Sequence, residues 1–122
     1  LQNGIFLQRP ATLNERGHYF GNIVRALDAR QAHLKHLVLL DPDNGIGVAK
    51  TKGEQIHETH LREVWDHLRK SDTLGLVQFE HRLRDQDWRV VLQKRIADTL
   101  GIQTQQVRPF PWDNLCLYLA DR

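Results

Sequence analysis

The chain has 122 residues, 40% hydrophobic and 26% charged, the composition of one folded domain, which excludes a repeat array, a collagen or a disordered tail. No apolar run approaches the roughly 18 residues of a membrane span, and Leu1 to Pro10 lacks the basic start and long apolar stretch of a secretory signal, so a cytoplasmic protein without a membrane partner is expected. Charge is balanced, with 17 Lys and Arg against 15 Asp and Glu for a net +2, which falls short of a nucleic-acid coat and leaves nucleic acid only a weakly supported partner.

Two absences add to this. The single cysteine, Cys116, has no partner for an internal disulfide or a thiolate zinc site, so stability must come from a packed core. Met is missing altogether, so Leu1 is not an initiator and a truncated N-terminus is expected.

In chain order, Gly4 to Arg9 is a short extended candidate halted by Pro10. Thr12 and Glu15 have capping-box spacing, and Tyr19, Phe20, Ile23, Val24 and Leu27 follow at helical intervals, which predicts a helix over Leu13 to Arg30. Leu37 to Leu40 is a continuous apolar run, the pattern of a buried central strand, and it ends in the turn residues Asp41-Pro42-Asp43-Asn44-Gly45. Gly47 to Gln55 is polar and reads as an exposed loop.

Leu61, Val64, Trp65 and Leu68 form the stripe of a second helix, with Thr59 as its expected N-cap and an end near Lys70. Leu74 to Phe79 is a second strand. Asp85 is the expected cap of a third helix with Trp88, Val91, Leu92, Ile96 and Leu100 on one face, and Gly101 suits its end. Two last strands follow, a polar one over Ile102 to Arg108 at an edge and an apolar one over Leu115 to Leu119 inside, joined by Pro109 to Asn114. Strands alternating with helices predict a three-layer α/β fold with a mainly parallel, Rossmann-like sheet and a C-terminal antiparallel hairpin.

Ligands of such sheets bind outside the carboxyl ends of the strands, where helix N-termini aim unpaired N–H groups inward. If the first two strands are neighbours, the loop Asp41 to Gly45 faces Glu80-His81-Arg82-Leu83-Arg84 across one crevice. Asp41, Asp43 and His81 are the candidate catalytic groups, His81 as a general base. Pro42, Asn44, Gly45, Glu80, Arg82 and Arg84 are the candidate ligand contacts, and Arg89 could join the two loop arginines on a phosphate. Each has a plainer reading: Asp-Pro and Asn-Gly simply turn the chain, His81 faces solvent, and the arginines pair with Asp85 and Asp87.

The remaining candidates are weaker. His57-Glu58-Thr59-His60 is one residue short of the H-E-x-x-H spacing that two zinc ligands on a helix require. His60, Glu63 and His67 read better as a polar outer face than as metal ligands, so no metal site is assigned to them. Trp65 and Trp88 sit on apolar stripes and belong to the core, whereas Trp112 lies in a proline-flanked turn and can edge a pocket. No phosphate-binding glycine loop or nucleophile elbow is present.

The apolar strand ending in Asp41-Pro42, followed by helix, strand, helix and closing hairpin, resembles the second half of the Rossmann-like S-adenosylmethionine-dependent methyltransferases. More closely, Leu39 to Ile46 with Phe79-Glu80-His81 and Arg84 resembles uncharacterised bacterial proteins with L-D-P-D-N-G and Y-Q-H-x-x-x-R motifs. The likeness covers roughly Arg16 to Ala120. It implies that Asp41 and the Pro42 carbonyl accept hydrogen bonds from an amine. Asp43 and Asn44 stand where amino-methylating enzymes have a second proline and a stacking aromatic, and the upstream glycine-rich cofactor loop is missing. The resemblance therefore implies a repurposed methyltransferase-like fold, with S-adenosylmethionine disfavoured as cofactor.

Three functions fit these residues. The first is a methyltransferase-like protein binding a small polar or nucleotide-like ligand in the crevice. The second is a phosphodiesterase or nuclease with Mg²⁺ held by Asp41, Asp43 and Glu80. The third is a non-enzymatic adaptor or oligomerising domain, such as a homodimer, whose functional surface is a sheet edge or helix face.

Overall fold

The computed structural model describes residues 13–29, 34–41, 46–47, 56–79 and 87–122. Its elements are α1 (Leu13–Asp28), β1 (Leu37–Leu40), β2 (Ile46–Gly47), β3 (Ile56–His57), α2 (Glu58–His67), β4 (Thr73–Phe79), α3 (Trp88–Leu100), a 3₁₀ turn (Thr104–Gln106), β5 (Val107–Trp112) and β6 (Leu115–Asp121). The protein is mixed α/β. Its main sheet has four strands in the order β1-β4-β6-β5, and β2 and β3 form a separate two-residue parallel pair.

The sheet is mixed rather than mainly parallel. β1 and β4 are parallel, but β6 is antiparallel to both of its neighbours, β4 and β5. The hairpin explains this. Only Asp113 and Asn114 separate β5 from β6, which forces the two strands to be antiparallel neighbours. β5 contains Pro109 and Pro111, which have no N–H to give a ladder and so require an edge, whereas β6 is apolar on both faces and takes the inner position. By direction, β1, β4 and β5 run one way and β6 the other.

The proline segment expected to be a connection is thus part of β5, and Ile102 to Gln106 is mostly turn and 3₁₀ helix. Gln93 of α3 fixes that turn, its Nε2 donating to the carbonyls of Thr104 at 3.2 Å and Val107 at 2.8 Å. β1 is also corrected, from a central strand to an edge one.

As to layers, the described residues show one face of the sheet packed by helices. One sheet face carries Leu40, Leu74, Leu76, Gln78, Cys116, Tyr118, Ala120 and Val107, all buried. They share a single core with Phe20, Ile23 and Leu27 of α1, Leu61, Val64 and Trp65 of α2, and Trp88, Leu92, Ile96 and Leu100 of α3. The strand order advances from β1 through β4 to β5 without reversing, so right-handed crossovers bring α2 and α3 to the same face. Among the described residues the opposite face has no covering layer: Leu37, Leu39, Phe79, Phe110 and Trp112 on it are exposed.

Helix ends show how local chemistry sets the boundaries. α3 is capped by Asp87, not Asp85, with the Asp87 carboxylate accepting from the N–H of Arg89 at 3.2 Å. Its end at Gly101 is as expected: φ is 71°, and its N–H returns to the carbonyls of Ala97 and Asp98. α2 starts at Glu58, so Thr59 lies inside it and is not its cap, and the helix stops at His67. Trp65 and Trp88 are core residues, while Val91 faces outward. The Thr12 capping box and the Gly4 to Arg9 candidate lie outside the described residues, as does the expected loop Gly47 to Gln55 apart from Gly47, which belongs to β2.

Candidate functional site at the strand ends

In the parallel pair, Leu37 lies beside Thr73 and Leu40 beside Leu76. The two strands therefore leave the sheet at the same end, β1 through Asp41, which is exposed, and β4 through Phe79. The neighbour relationship on which the crevice depends is present. Of the nine candidate residues, Asp41 is described; Pro42, Asp43, Asn44, Gly45, Glu80, His81, Arg82 and Arg84 lie outside the described residues.

Two further features converge on this end. Phe79 pairs with Leu115, so the Asp113-Asn114 turn sits at the carboxyl end of β4. The N-terminus of α3 joins them, because Arg89 donates from Nη2 to the carbonyl of Asp113 at 2.6 Å. That guanidinium also lies 5.0 Å from the centre of the Trp88 ring. Arg89 thus contacts the hairpin turn and an indole, and the pairing expected with Asp85 lies outside the described residues. Asp113 holds φ at 50°, the left-handed region that Asp tolerates in a tight hairpin.

Beneath this end the helix-covered face becomes polar. Gln78 is fully buried beside Cys116, its Nε2 donating to the adjacent Val77 carbonyl at 3.2 Å. The Tyr118 hydroxyl donates to the carbonyl of Arg89 at 2.7 Å, tying β6 to the first turn of α3. Burial pushes the Cys116 thiol up from its ordinary value, outweighing the opposing effects of its hydrogen bond with Tyr118 and the positive charge of Arg89. Burial likewise raises the Tyr118 phenol well above its ordinary range, and the neighbouring Cys116 adds to this. Both are therefore neutral at pH 7, and Cys116 is a packed thiol with little nucleophilic character.

Two buried polar atoms at this end, the Gln78 Oε1 acceptor and the Arg89 Nε donor, have no hydrogen-bond partner among the described residues. Sequence reasoning missed Gln78, although a polar residue following Leu74 and Leu76 at period two is a visible break in the buried face of β4.

The other polar groups have structural explanations. His60 stacks on Phe20 at 4.8 Å with the rings 9° from parallel, and His67 Nδ1 lies 2.9 Å from the Glu63 carbonyl one turn earlier. No group of three or more His, Cys, Asp or Glu side chains among the described residues could hold a metal ion. A depression of about 410 Å³ between α2 and α3 contains charges already paired with each other, Arg95 with Glu58 at 2.7 Å and Lys94 with Asp98 at 2.9 Å. No described helix is long and apolar enough to cross a membrane.

The chain matches no protein-family model, no curated protein and no solved structure.

Proposed function

We propose that the protein is a Rossmann-like, methyltransferase-like domain that binds a small polar or nucleotide-like ligand at the carboxyl ends of β1 and β4. The observation that carries this reading is the parallel register of Leu40 with Leu76, which sends the chain toward Pro42 and toward Glu80 from one end of the sheet. The N-terminus of α3, capped by the Asp87 carboxylate, reaches the same end. The Gln78 acceptor and the Arg89 donor, which no described residue partners, lie near the same end.

In this reading Asp41 and the Pro42 carbonyl accept hydrogen bonds from an amine or hydroxyl of the ligand. His81 exchanges a proton with it, and Asn44, Arg82 and Arg84 hold its polar groups, with Asp43, Gly45 and Glu80 completing the rim. The Mg²⁺ phosphodiesterase alternative draws on the same acidic groups, and no observation favours it over the first.

Thermal shift of the full chain with S-adenosylmethionine, adenosine monophosphate and Mg²⁺, each added separately, tests the proposal. A rise in melting temperature with adenosine monophosphate or S-adenosylmethionine that Asp41→Ala abolishes supports it. A shift with Mg²⁺ alone would move the assignment to the phosphodiesterase reading, and no shift with any of the three would overturn both.

A further inference from the structure

We infer that the sheet face that no described residue covers is where two copies of this chain pack together, each copy supplying a layer for the other. A sheet meant to face water on one side alternates apolar and polar residues, but β1, β4 and β6 are apolar on both faces. Leu37, Leu39, Phe79, Phe110 and Trp112 are 40%, 52%, 44%, 48% and 75% exposed on the open face, with the half-buried leucines of β6 between them. Together they present on the order of 600–700 Å² of apolar surface, above the usual largest patch of a monomer and near the ~800 Å² each partner gives to a stable interface.

The shape and charge of the face select a second copy over other occupants. Gly75 lies at its middle, but the space above it is filled: a Cβ there would meet Leu39 Cδ1 at 3.0 Å and Leu119 Cδ2 at 3.2 Å. The face is therefore flat rather than grooved, which suits another sheet at the ~10 Å face-to-face spacing better than a helix or peptide seated in a channel. Its described charges, Arg108 and Asp121, sit at one end and neutralise each other at 3.2 Å. Among the described residues of the face no uncompensated charge is left to choose a different protein, whereas a flat apolar surface is complementary to its own twofold image.

Pairing through the β5 edge is opposed by sequence. Pro109 and Pro111 lie in the ladder with β6 and have no N–H to offer outward, so that edge is a poor template for a further strand. The expected assembly is a four-layer sandwich, helices–sheet–sheet–helices.

Sedimentation velocity of the 122-residue chain tests this. At about 100 μM the expected mass is twice the 14.3 kDa of one chain. L39K combined with F110K is expected to return it to one chain mass with an unchanged far-ultraviolet circular dichroism spectrum. Should that variant fail to fold, Trp112→Ser, at the most exposed position, is expected to weaken the dimer at least about tenfold. Acrylamide quenching gives a second measure, because Trp65 and Trp88 are buried and the concentration-dependent signal belongs to Trp112. A wild-type monomer at that concentration, with Trp112 either quenched or shielded by another part of the chain, overturns the inference. So does a dimer that Trp112→Ser and L39K/F110K leave unchanged.

Discussion

The carboxylate of Asp72 accepts the N–H of His36 at 2.9 Å, joining the residue before β4 to the residue before β1. The N–H of Thr73 returns the contact to the His36 carbonyl at 2.9 Å, and Asp72 Oδ2 also accepts the N–H of Arg69 at 2.7 Å. Asp72 is 1% exposed, so one buried carboxylate fixes where β1 starts against β4 and hence which residues emerge together at the far end.

Asp72→Ala takes the acceptor from two part-buried N–H groups, those of His36 and Arg69. The expected loss is about 2–4 kcal/mol of folding stability, and Asp72→Asn, which keeps one oxygen, should lose less. Urea unfolding of the three proteins measures this; equal stability of wild type and Asp72→Ala would contradict the assigned role.

Gly101 closes α3 at φ 71°, and a Cβ there would meet Arg62 Nη1 at 3.0 Å. Gly101→Ala is therefore expected to cost about 1 kcal/mol, mostly from the left-handed backbone, because the exposed Arg62 side chain can move aside. The readout is a lower urea midpoint at unchanged slope.

Alkaline pH should unfold the protein earlier than its charge balance implies. The ordinary values are 9.0 for the Cys116 thiol and 10.0 for the Tyr118 phenol, and burial raises both in the folded state. The unfolded chain thus releases these protons first. Stability from the two groups is fully present below their ordinary values and drains away as pH rises past them toward the folded values. Tyr118→Phe removes one of these ionisations, so it should flatten the alkaline decline while costing about 1 kcal/mol at pH 7 for the lost bond to Arg89. Denaturation midpoints from pH 7 upward for both proteins check the sign. Over the same range the native Cys116 thiol should resist a disulfide reagent until the chain unfolds.

Much of the fold was legible in the sequence because helix stripes and turn chemistry are local. The α2 stripe of Leu61, Val64, Trp65 and Leu68 and the glycine stop at Gly101 are both found where expected. The neighbouring order of β1 and β4 was the condition set for the crevice, and it is met. What the sequence concealed was tertiary. A doubly apolar run such as Leu37 to Leu40 looks the same whether its second face is covered by a helix or left open, so an edge strand was read as a central one. Pro109 and Pro111 resembled a loop because their tolerance at an edge depends on which strand lies beside them. Gln78 was overlooked because a single polar residue in an apolar strand attracts no motif.

Ligand contact at the shared end of β1 and β4 is what the proposed binding site requires. Backbone amide NMR of the full chain during titration with adenosine monophosphate should move Leu40, Asp41, Phe79 and the Trp88–Arg89 turn, together with the Gln78 side-chain amide, and leave the Gly101 end of α3 unchanged. Saturating adenosine monophosphate that moves none of these signals, or moves only residues at the opposite end of the sheet around Leu37, Thr73 and Asp121, would contradict the assignment of the strand ends as the binding site.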